Sequence, residues 1–365
     1  MRKFKLKDVK DFYKSKKVLI TGNTGFKGSW LSKWLLSMGA KVYGVSDTDK
    51  YDLYRMANIG EQIERQFLCD ISSTNNSMED GKQSIYGILD IVKPDVVFHL
   101  AAQPLVRESY LNPALTYQVN VMGTMHVALA CKEAGVKHAV FITTDKCYEN
   151  DESGLPIEET ARFGGSDPYS SSKGCCEILM ESLRRSYPEC SGYFTARAGN
   201  VVGGGDWAKD RIIPDIVRAI NSDTRKIVLR NPNSVRPWQH VLEPLYGYLL
   251  LGMQEDCHGL GINFGPNPYD SFTVLEVLSE CDACLKAREQ KLLDISIQEC
   301  TEMKEANYLR LDNTFAKMEL GWEPRLSFKE TIGLTMAFYL DKDLSADGLL
   351  MRDICTYEEK LKANE

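Results

Sequence analysis

Tyr169 and Lys173 stand four residues apart in the segment Asp167-Pro168-Tyr169-Ser170-Ser171-Ser172-Lys173. Once that segment is helical, the two side chains share one face. A free phenol, with a pKa of about 10, is a poor base near neutrality. An ammonium beside it stabilises the phenolate, which can then take a proton from an alcohol. A Tyr-x-x-x-Lys pair is common on surface helices, so its weight depends on what lies upstream. There, Val140 to Tyr148 reads as a buried strand that carries Thr143, Thr144, Asp145 and Lys146 out of an apolar run. The carboxyl end of such a strand is where an open α/β sheet places its ligand. A turn cap would account for Thr144 or Asp145 taken singly; the Tyr-Lys segment that follows shifts the balance toward chemistry.

Those groups need a scaffold, and the stretch Val18 to Gly28, VLITGNTGFKG, supplies one. Lys17 to Ile20 reads as a short buried parallel strand. Gly22, Gly25 and Gly28 form a turn, after which Trp30, Leu31, Trp34, Leu35 and Met38 recur at helical spacing until Gly39. Strand, glycine turn and helix N-terminus make an anion cradle. The first glycine permits the tight turn, the second lets backbone approach a pyrophosphate, and the third packs helix on strand.

Lys41 to Ser46 reads as a second strand, ending at Asp47 about twenty residues beyond Gly28. An acid there holds the adenosine ribose hydroxyls and repels a 2′-phosphate, which predicts NAD rather than NADP. The alternative for Asp47 is a solvated turn acid, with Lys27, Lys50 and Arg55 as neighbouring cations. Phe67 to Ile71 reads as a third strand ending in Asp70-Ile71. Asp95 to Gln103 is a fourth, running into Leu100, Ala101, Ala102 and Gln103, whose small members let backbone approach a cofactor. His99, inside that run, reads as a core histidine rather than a catalytic one. The alternation predicts an α/β Rossmann-type doubly wound parallel sheet with a smaller, mixed α/β substrate-binding domain.

At 365 residues the chain has ample core for one large domain or two, and 43% hydrophobic with 26% charged residues is the balance of a soluble globular protein. A net charge of −7 argues against a nucleic-acid surface, so an anionic ligand must meet local Arg and Lys clusters. Met1 to Lys10 is basic without an apolar run behind it, and Leu245 to Met253 is too short to span a bilayer. No membrane association is expected. Eleven cysteines, an odd number, predict free thiols in a reducing cytoplasm. Cys281-x-x-Cys284 lacks the second pair and the nearby His of a metal site, so no metal is expected.

The strings TGNTGFKGSWL, HLAAQPLVRESY, TTDKCYEN, DPYSSSK, ARAGNVVGGGDWA and RPWQHVLEPLYGYL run from about Val18 to Glu243, with weaker matches to Leu320-Gly321-Trp322. Together with the Gly-x-x-Gly-x-x-Gly spacing they resemble the extended short-chain dehydrogenase/reductase family, and within it the sugar-nucleotide 4,6-dehydratases of the CDP-glucose branch. The resemblance implies a lyase of deoxysugar and O-antigen biosynthesis with an internal redox cycle. NAD oxidises the sugar at C4, the C5 proton becomes acidic, water is lost across C5 and C6, and the hydride returns to C6, giving CDP-4-keto-6-deoxyglucose from CDP-glucose.

By the same resemblance, Tyr169 is the base at the C4 hydroxyl and Lys173 lowers its pKa and grips the nicotinamide ribose. Thr144 assists at the C4 oxygen. Asp145 is the acid for the departing C6 hydroxyl, which requires a raised pKa. Lys146 replaces the glutamate with which dTDP-glucose dehydratases remove the C5 proton. It acts either as a neutral amine or as an electrostatic stabiliser of the enolate. The implied cofactor contacts are Gly22, Thr24, Gly25, Phe26, Lys27, Gly28, Asp47, Asp70 (on the adenine), Ile71, Leu100, Ala101, Ala102, Gln103, Thr143, Tyr169 and Lys173. The implied substrate contacts are Ser109, Asn200, Arg211 and Arg236, and Asn120 matches the family's helix-bending asparagine. Subunits of the family commonly pair through helices like those after Asn120 and Tyr169, implying a homodimer or dimer of dimers.

Arg211, Arg230 and Arg236 follow the Gly203-Gly204-Gly205 loop and form a candidate clamp for a diphosphate. The expected division is an NAD-binding domain over 1–198 with about 234–256, a sugar-nucleotide domain over 199–233 and 257–345, and a charged tail over 346–365 forming a surface helix. A C4 epimerase or reductase on the same fold is the enzymatic alternative, which needs no acid at C6. A non-catalytic dinucleotide-binding scaffold is the other, disfavoured by the Tyr-Lys pair.

Overall fold

The computed structural model describes residues 2–73, 83–208, 211–229, 231–256, 261–268, 270–298 and 308–363. Its strands are β1 (Lys17–Thr21), β2 (Lys41–Ser46), β3 (Arg65–Leu68), β4 (Val96–His99), β5 (His138–Ile142), β6 (Tyr193–Ala198), β7 (Val201–Val202), β8 (Lys226–Leu229), β9 (Val235–Arg236), β10 (Gln239–His240), β11 (Ile262–Phe264), β12 (Phe272–Thr273) and β13 (Asp294–Ile297). Seven of them form one sheet in the order β11-β6-β5-β4-β1-β2-β3, and every pair in it is parallel. The order reverses between β1 and β4, the switch point where such sheets open a ligand crevice at their carboxyl ends.

Helices cover both faces, as near-continuous apolar strands require. One layer packs Trp30, Trp34 and Leu35 of the helix Phe26–Ser37 and Leu245 and Leu249 of the helix Leu242–Leu251 against the sheet. The other packs Ile88 and Leu89, Val127 and Cys131, and Met180 and Leu183, from three further helices. Both indoles are fully buried, and truncating either to alanine would cost roughly 3–5 kcal/mol. A separate cluster gathers Ile213, Val217, Leu229, Trp238, Leu278, Cys281 and Met336 beside the small sheets β8–β13 and β9–β12. Cys281 is thus an apolar packing residue.

Several boundaries differ from the sequence reading. β3 ends at Leu68, so Asp70 and Ile71 lie beyond the strand. β5 ends at Ile142, and Asp145–Cys147 is a single 3₁₀ turn capped by the Thr144 hydroxyl, not a strand. The sequence reading has Asn120 begin a helix, and the structure does not. The residue sits in a π-helical turn, Gln118–Met122, between the helices Pro113–Tyr117 and Gly123–Glu133. The last helix, Ala346–Ala363, is not a surface helix with a free perimeter. Leu350, Ile354, Tyr357 and Leu361 form a buried stripe against Phe26–Ser37, where the Trp34 indole donates to Glu358 at 3.1 Å.

Candidate active site

The crevice is built where the β1 and β4 loops touch. Gly22 has φ +71°, and a Cβ on it would lie 2.7 Å from the Ala101 nitrogen. Only glycine allows that contact. A Cβ on Gly28 would fall 2.1 Å from the Gly22 carbonyl oxygen, so this glycine packs helix on turn rather than helix on strand. Gly25 differs: a Cβ there would meet nothing nearer than 3.4 Å. It caps the helix Phe26–Ser37 without a side-chain acceptor, and the first turn carries no acid. Uncapped helix-terminal N–H groups over an open face of the turn suit an anion such as a pyrophosphate.

Thr24 donates to the Thr48 carbonyl at 3.0 Å, which ties the turn to the loop after β2. Asp47 is exposed in that loop. Asp70 accepts from the Ser72 amide at 2.9 Å and from its hydroxyl at 2.7 Å, and Ile71 is buried. Leu100, Ala101, Ala102 and Gln103 follow β4 as half-buried loop residues. Asn120 fixes that loop, accepting from the Gln103 amide at 2.8 Å and donating to the Gln103 carbonyl and to Ser172. His99 is held between Thr21 at 2.7 Å and Thr124 at 3.0 Å, and burial pulls its pKa down to about 3, as befits a core histidine.

The helix Pro168–Ser186 starts at an Asp167 cap that accepts from Ser170 N at 2.9 Å. It brings Tyr169 and Lys173 to the end of β5. Thr144 donates to Asp145 Oδ1 at 2.9 Å, while Asp145 Oδ2, on a side chain almost wholly buried, has no hydrogen-bond partner. Burial raises the Asp145 pKa, against the opposing charges of Lys146, Arg236 and Lys27 and the Thr144 hydrogen bond. That is the direction a general acid needs.

The Tyr169 pKa goes the other way from the one the Tyr-Lys spacing predicts. Burial pushes it up to about 12, with a Thr144 hydrogen bond and the Arg211 charge opposing. The Lys173 ammonium instead donates to the Ile142 carbonyl at 3.1 Å, and its own pKa is lowered by burial. Spacing puts the two groups on one helix face, but the amine is spent on the strand end below the phenol. Thr143 also faces inward, donating to Glu177 and, at 3.5 Å, to the Ala196 carbonyl. Lys146 is only partly buried. The amine that the site brings near neutrality is Lys27, with a pKa lowered to about 7 by burial and by the charges of Arg211 and Lys173, against the raising effect of Asp145.

Of the remaining residues, Ser109 is buried and donates to the Val106 carbonyl at 2.6 Å within its own helix. Asn200 presents its carbonyl to Gln239 N at 3.2 Å. Arg211 pairs with Asp206 at 2.9 Å and bears on Lys27 and Tyr169. Arg236, buried on β9, bears on Asp145. Arg230 lies outside the described residues. The structure thus gathers Lys27, Thr144, Asp145, Lys146, Tyr169, Lys173, Arg211 and Arg236 electrostatically, and leaves Thr143 and Ser109 turned into the scaffold.

The family model described as GDP-mannose 4,6 dehydratase matches residues 19–335. The CDP-glucose 4,6-dehydratase of Salmonella typhimurium strain LT2 is 41% identical over 340 residues, covering 89% of this chain and 90% of that protein. The chain belongs to the GDP-mannose 4,6 dehydratase family. Two solved structures share the fold. Epimerase Mth375 of Methanothermobacter thermautotrophicus has a TM-score of 0.76 at 22% identity, covering 96% of this chain and 97% of its own. The dTDP-glucose 4,6-dehydratase of Bacillus anthracis, in complex with NAD, has 0.75 at 20%, covering 90% and 98%.

In this family member, three groups of the site were not singled out from the sequence. Tyr248 accepts from the Lys27 ammonium at 3.2 Å and feels the charges of Tyr169 and Asp145. It is hidden in an apolar helix, where nothing marks it. Glu177 accepts from Thr143, Thr195 and Arg197 beneath Lys173. Arg197 lies inside β6. Their signals were present: Glu177 is four residues beyond Lys173 on the same face, and a charge within a buried strand demands a partner.

Proposed function

We propose that this protein is an NAD-dependent nucleotide-sugar 4,6-dehydratase acting on CDP-glucose. The observation that carries the chemistry is the buried Asp145 carboxyl at the crevice end of β5, with one oxygen accepting from Thr144 and the other unpartnered, its charge felt by Tyr169. The 41% identity to a CDP-glucose 4,6-dehydratase supports the substrate. Bound NAD would supply the hydride acceptor for C4 and the donor for C6. Gly22, Thr24, Gly25, Phe26, Lys27 and Gly28 would hold its pyrophosphate at the helix N-terminus, and Asp47 and Asp70 its adenosine end.

The chain's own residues then handle protons. Tyr169 takes the O4 proton, with the Thr144 hydrogen bond and the Arg211 charge opposing the effect of its burial. Asp145, kept neutral, gives its proton to the departing C6 hydroxyl. Lys146, partly buried beside Asp145, is the residue assigned to C5: as an amine it takes the C5 proton and returns it there when hydride reaches C6. We assign Arg211 and Arg236 to the diphosphate and Asn200 to the sugar, while Ser109, buried and bonded to the Val106 carbonyl, supports its helix. An epimerase would have no use for a neutral carboxylic acid at this position.

The division into an NAD-binding part over 1–198 with about 234–256 and a sugar-nucleotide part over 199–233 and 257–345 follows from the same assignments. We place the enzyme in the cytoplasm, which free thiols at the nine described cysteines suit; among the described residues no helix is long and apolar enough to cross a membrane. We further propose a homodimer or dimer of dimers, for which the exposed Leu111, Leu115, Tyr117, Met122 and Ile178 on neighbouring helices are the support. Turnover of a panel of CDP-, dTDP-, UDP- and GDP-hexoses tests the substrate. Preference for CDP-glucose is expected; turnover of another nucleotide alone would overturn the assignment.

A further inference from the structure

Asp206 follows the Gly203-Gly204-Gly205 run, and its side chain is only 6% exposed. Both carboxylate oxygens are taken. Oδ1 accepts from the Ala208 amide at 3.1 Å and Oδ2 from Arg211 Nη1 at 2.9 Å. Arg211 is the more open of the two, with 37% of its side chain exposed, and Asp206 is its side-chain partner among the described residues. A guanidinium carries several N–H donors, so most remain for another ligand. Arg211 is also the N-cap of the helix Ile212–Ile220, where no side-chain hydrogen bond caps the helix end.

The loop that carries Asp206 is braced by its neighbours. The Trp30 indole, on the helix Phe26–Ser37, donates to the Gly204 carbonyl at 3.0 Å. The Tyr339 hydroxyl donates to the Asp206 carbonyl at 2.8 Å. A Cβ on Gly204 would overlap the Phe338 ring, and one on Gly205, which has φ +80°, would overlap Leu53. The glycines here serve close packing rather than motion. A Cβ on Gly203 would lie 3.2 Å from Phe26 Cζ, so the loop backs onto the glycine turn of the cofactor cradle.

We propose that Asp206 is a positioning residue for substrate recognition: its buried carboxylate holds the Arg211 guanidinium ready for the diphosphate of the sugar nucleotide. The role rests on the dehydratase reading, which assigns Arg211 to the diphosphate, and adds the group that orients it. A long cationic side chain gives up rotamer freedom when it grips an anion; one already held gives up less, and the difference appears as affinity. The Asp206 charge also opposes the incoming diphosphate. That opposition is blunted, because the carboxylate is matched by the guanidinium and by the Ala208 amide. Orientation therefore outweighs repulsion, and the substitution of Asp206 should weaken, not strengthen, the binding of a nucleoside diphosphate.

The test is calorimetric titration of CDP and of cytidine into the NAD-loaded holoenzyme, for wild type, Asp206→Asn, Arg211→Gln and the double variant. Asp206→Asn is expected to weaken CDP about tenfold and to leave cytidine unchanged. Arg211→Gln is expected to weaken CDP at least as much, and adding Asp206→Asn to it should change nothing further. Asp206→Glu keeps the charge but shifts it by a methylene; it too should weaken CDP, and it supplies the same comparison if Asp206→Asn does not fold. An undiminished effect of Asp206→Asn in the Arg211→Gln background, an equal loss for cytidine, or tighter binding of CDP would overturn the positioning role. Wild type that binds CDP no better than cytidine would instead remove the diphosphate assignment beneath it.

Discussion

The Lys27 ammonium donates to the Tyr248 hydroxyl at 3.2 Å, placing an amine from the glycine turn among the groups that surround Asp145. Its pKa falls from 10.5 to about 7, chiefly through burial. The unfolded chain therefore binds more protons between those values, and stability rises with pH across that window. Below about pH 7 the full cost of burying the ammonium is present. Lys27→Met should stabilise the cofactor-free protein by on the order of 1–3 kcal/mol at pH 6 to 7, allowing for partial exposure, with the gain fading toward pH 10. Thermal melts of both proteins across that range check it; a difference independent of pH would refute it.

Glu177 and Arg197 form an ion pair at 2.8 Å, with side chains 1% and 2% exposed. Burial alone would raise the Glu177 pKa, but the Arg197 charge and the hydrogen bonds from Arg197, Thr143 and Thr195 outweigh it and leave it lowered. Removing one partner strands the other. Glu177→Ala should cost about 3–5 kcal/mol, whereas Glu177→Met with Arg197→Met should recover much of that. Denaturant midpoints of the three proteins decide the matter, and a neutral single variant would contradict the burial of the pair.

A Cβ on Gly199 would lie 2.8 Å from Asp145 Oδ2 and 2.7 Å from Pro237 Cγ. Gly199→Ala must therefore displace the carboxyl or the proline. We expect kcat to fall by about 10²-fold, since displacements of this size misalign reacting groups, with folding retained. Unchanged kcat with a normal melt would show that the carboxyl's position is not critical.

Asp145→Asn keeps the shape and removes the acid. Elimination should stop, while C4 oxidation can proceed, so absorbance of reduced nicotinamide should accumulate on mixing with substrate. Normal dehydration by this variant would end the assignment of Asp145 as the acid.

The parallel sheet was legible because its strands are short apolar runs, and the glycine turn because Gly22 and Gly28 occupy contacts no side chain fits. The Tyr169–Lys173 spacing fixed a shared face but not what Lys173 donates to, because its acceptor, the Ile142 carbonyl, is a backbone atom 31 residues away in sequence. Asp145–Cys147 resembled a strand since the apolar run continues through Cys147 and Tyr148, yet the Thr144 side chain captures the backbone first. Leu350, Ile354, Tyr357 and Leu361 were masked by the charges between them, although they recur at helical spacing. Lys27 could be placed in the cradle from sequence, but not its amine beside Tyr248, which depends on how the helix Leu242–Leu251 packs.

Proton NMR of CDP-glucose incubated with the holoenzyme in deuterated water tests the dehydratase chemistry most directly. A new C6 methyl signal with deuterium at C5 is the expected result. A hexose that keeps its C6 hydroxymethyl group and changes only its configuration at C4 would contradict it.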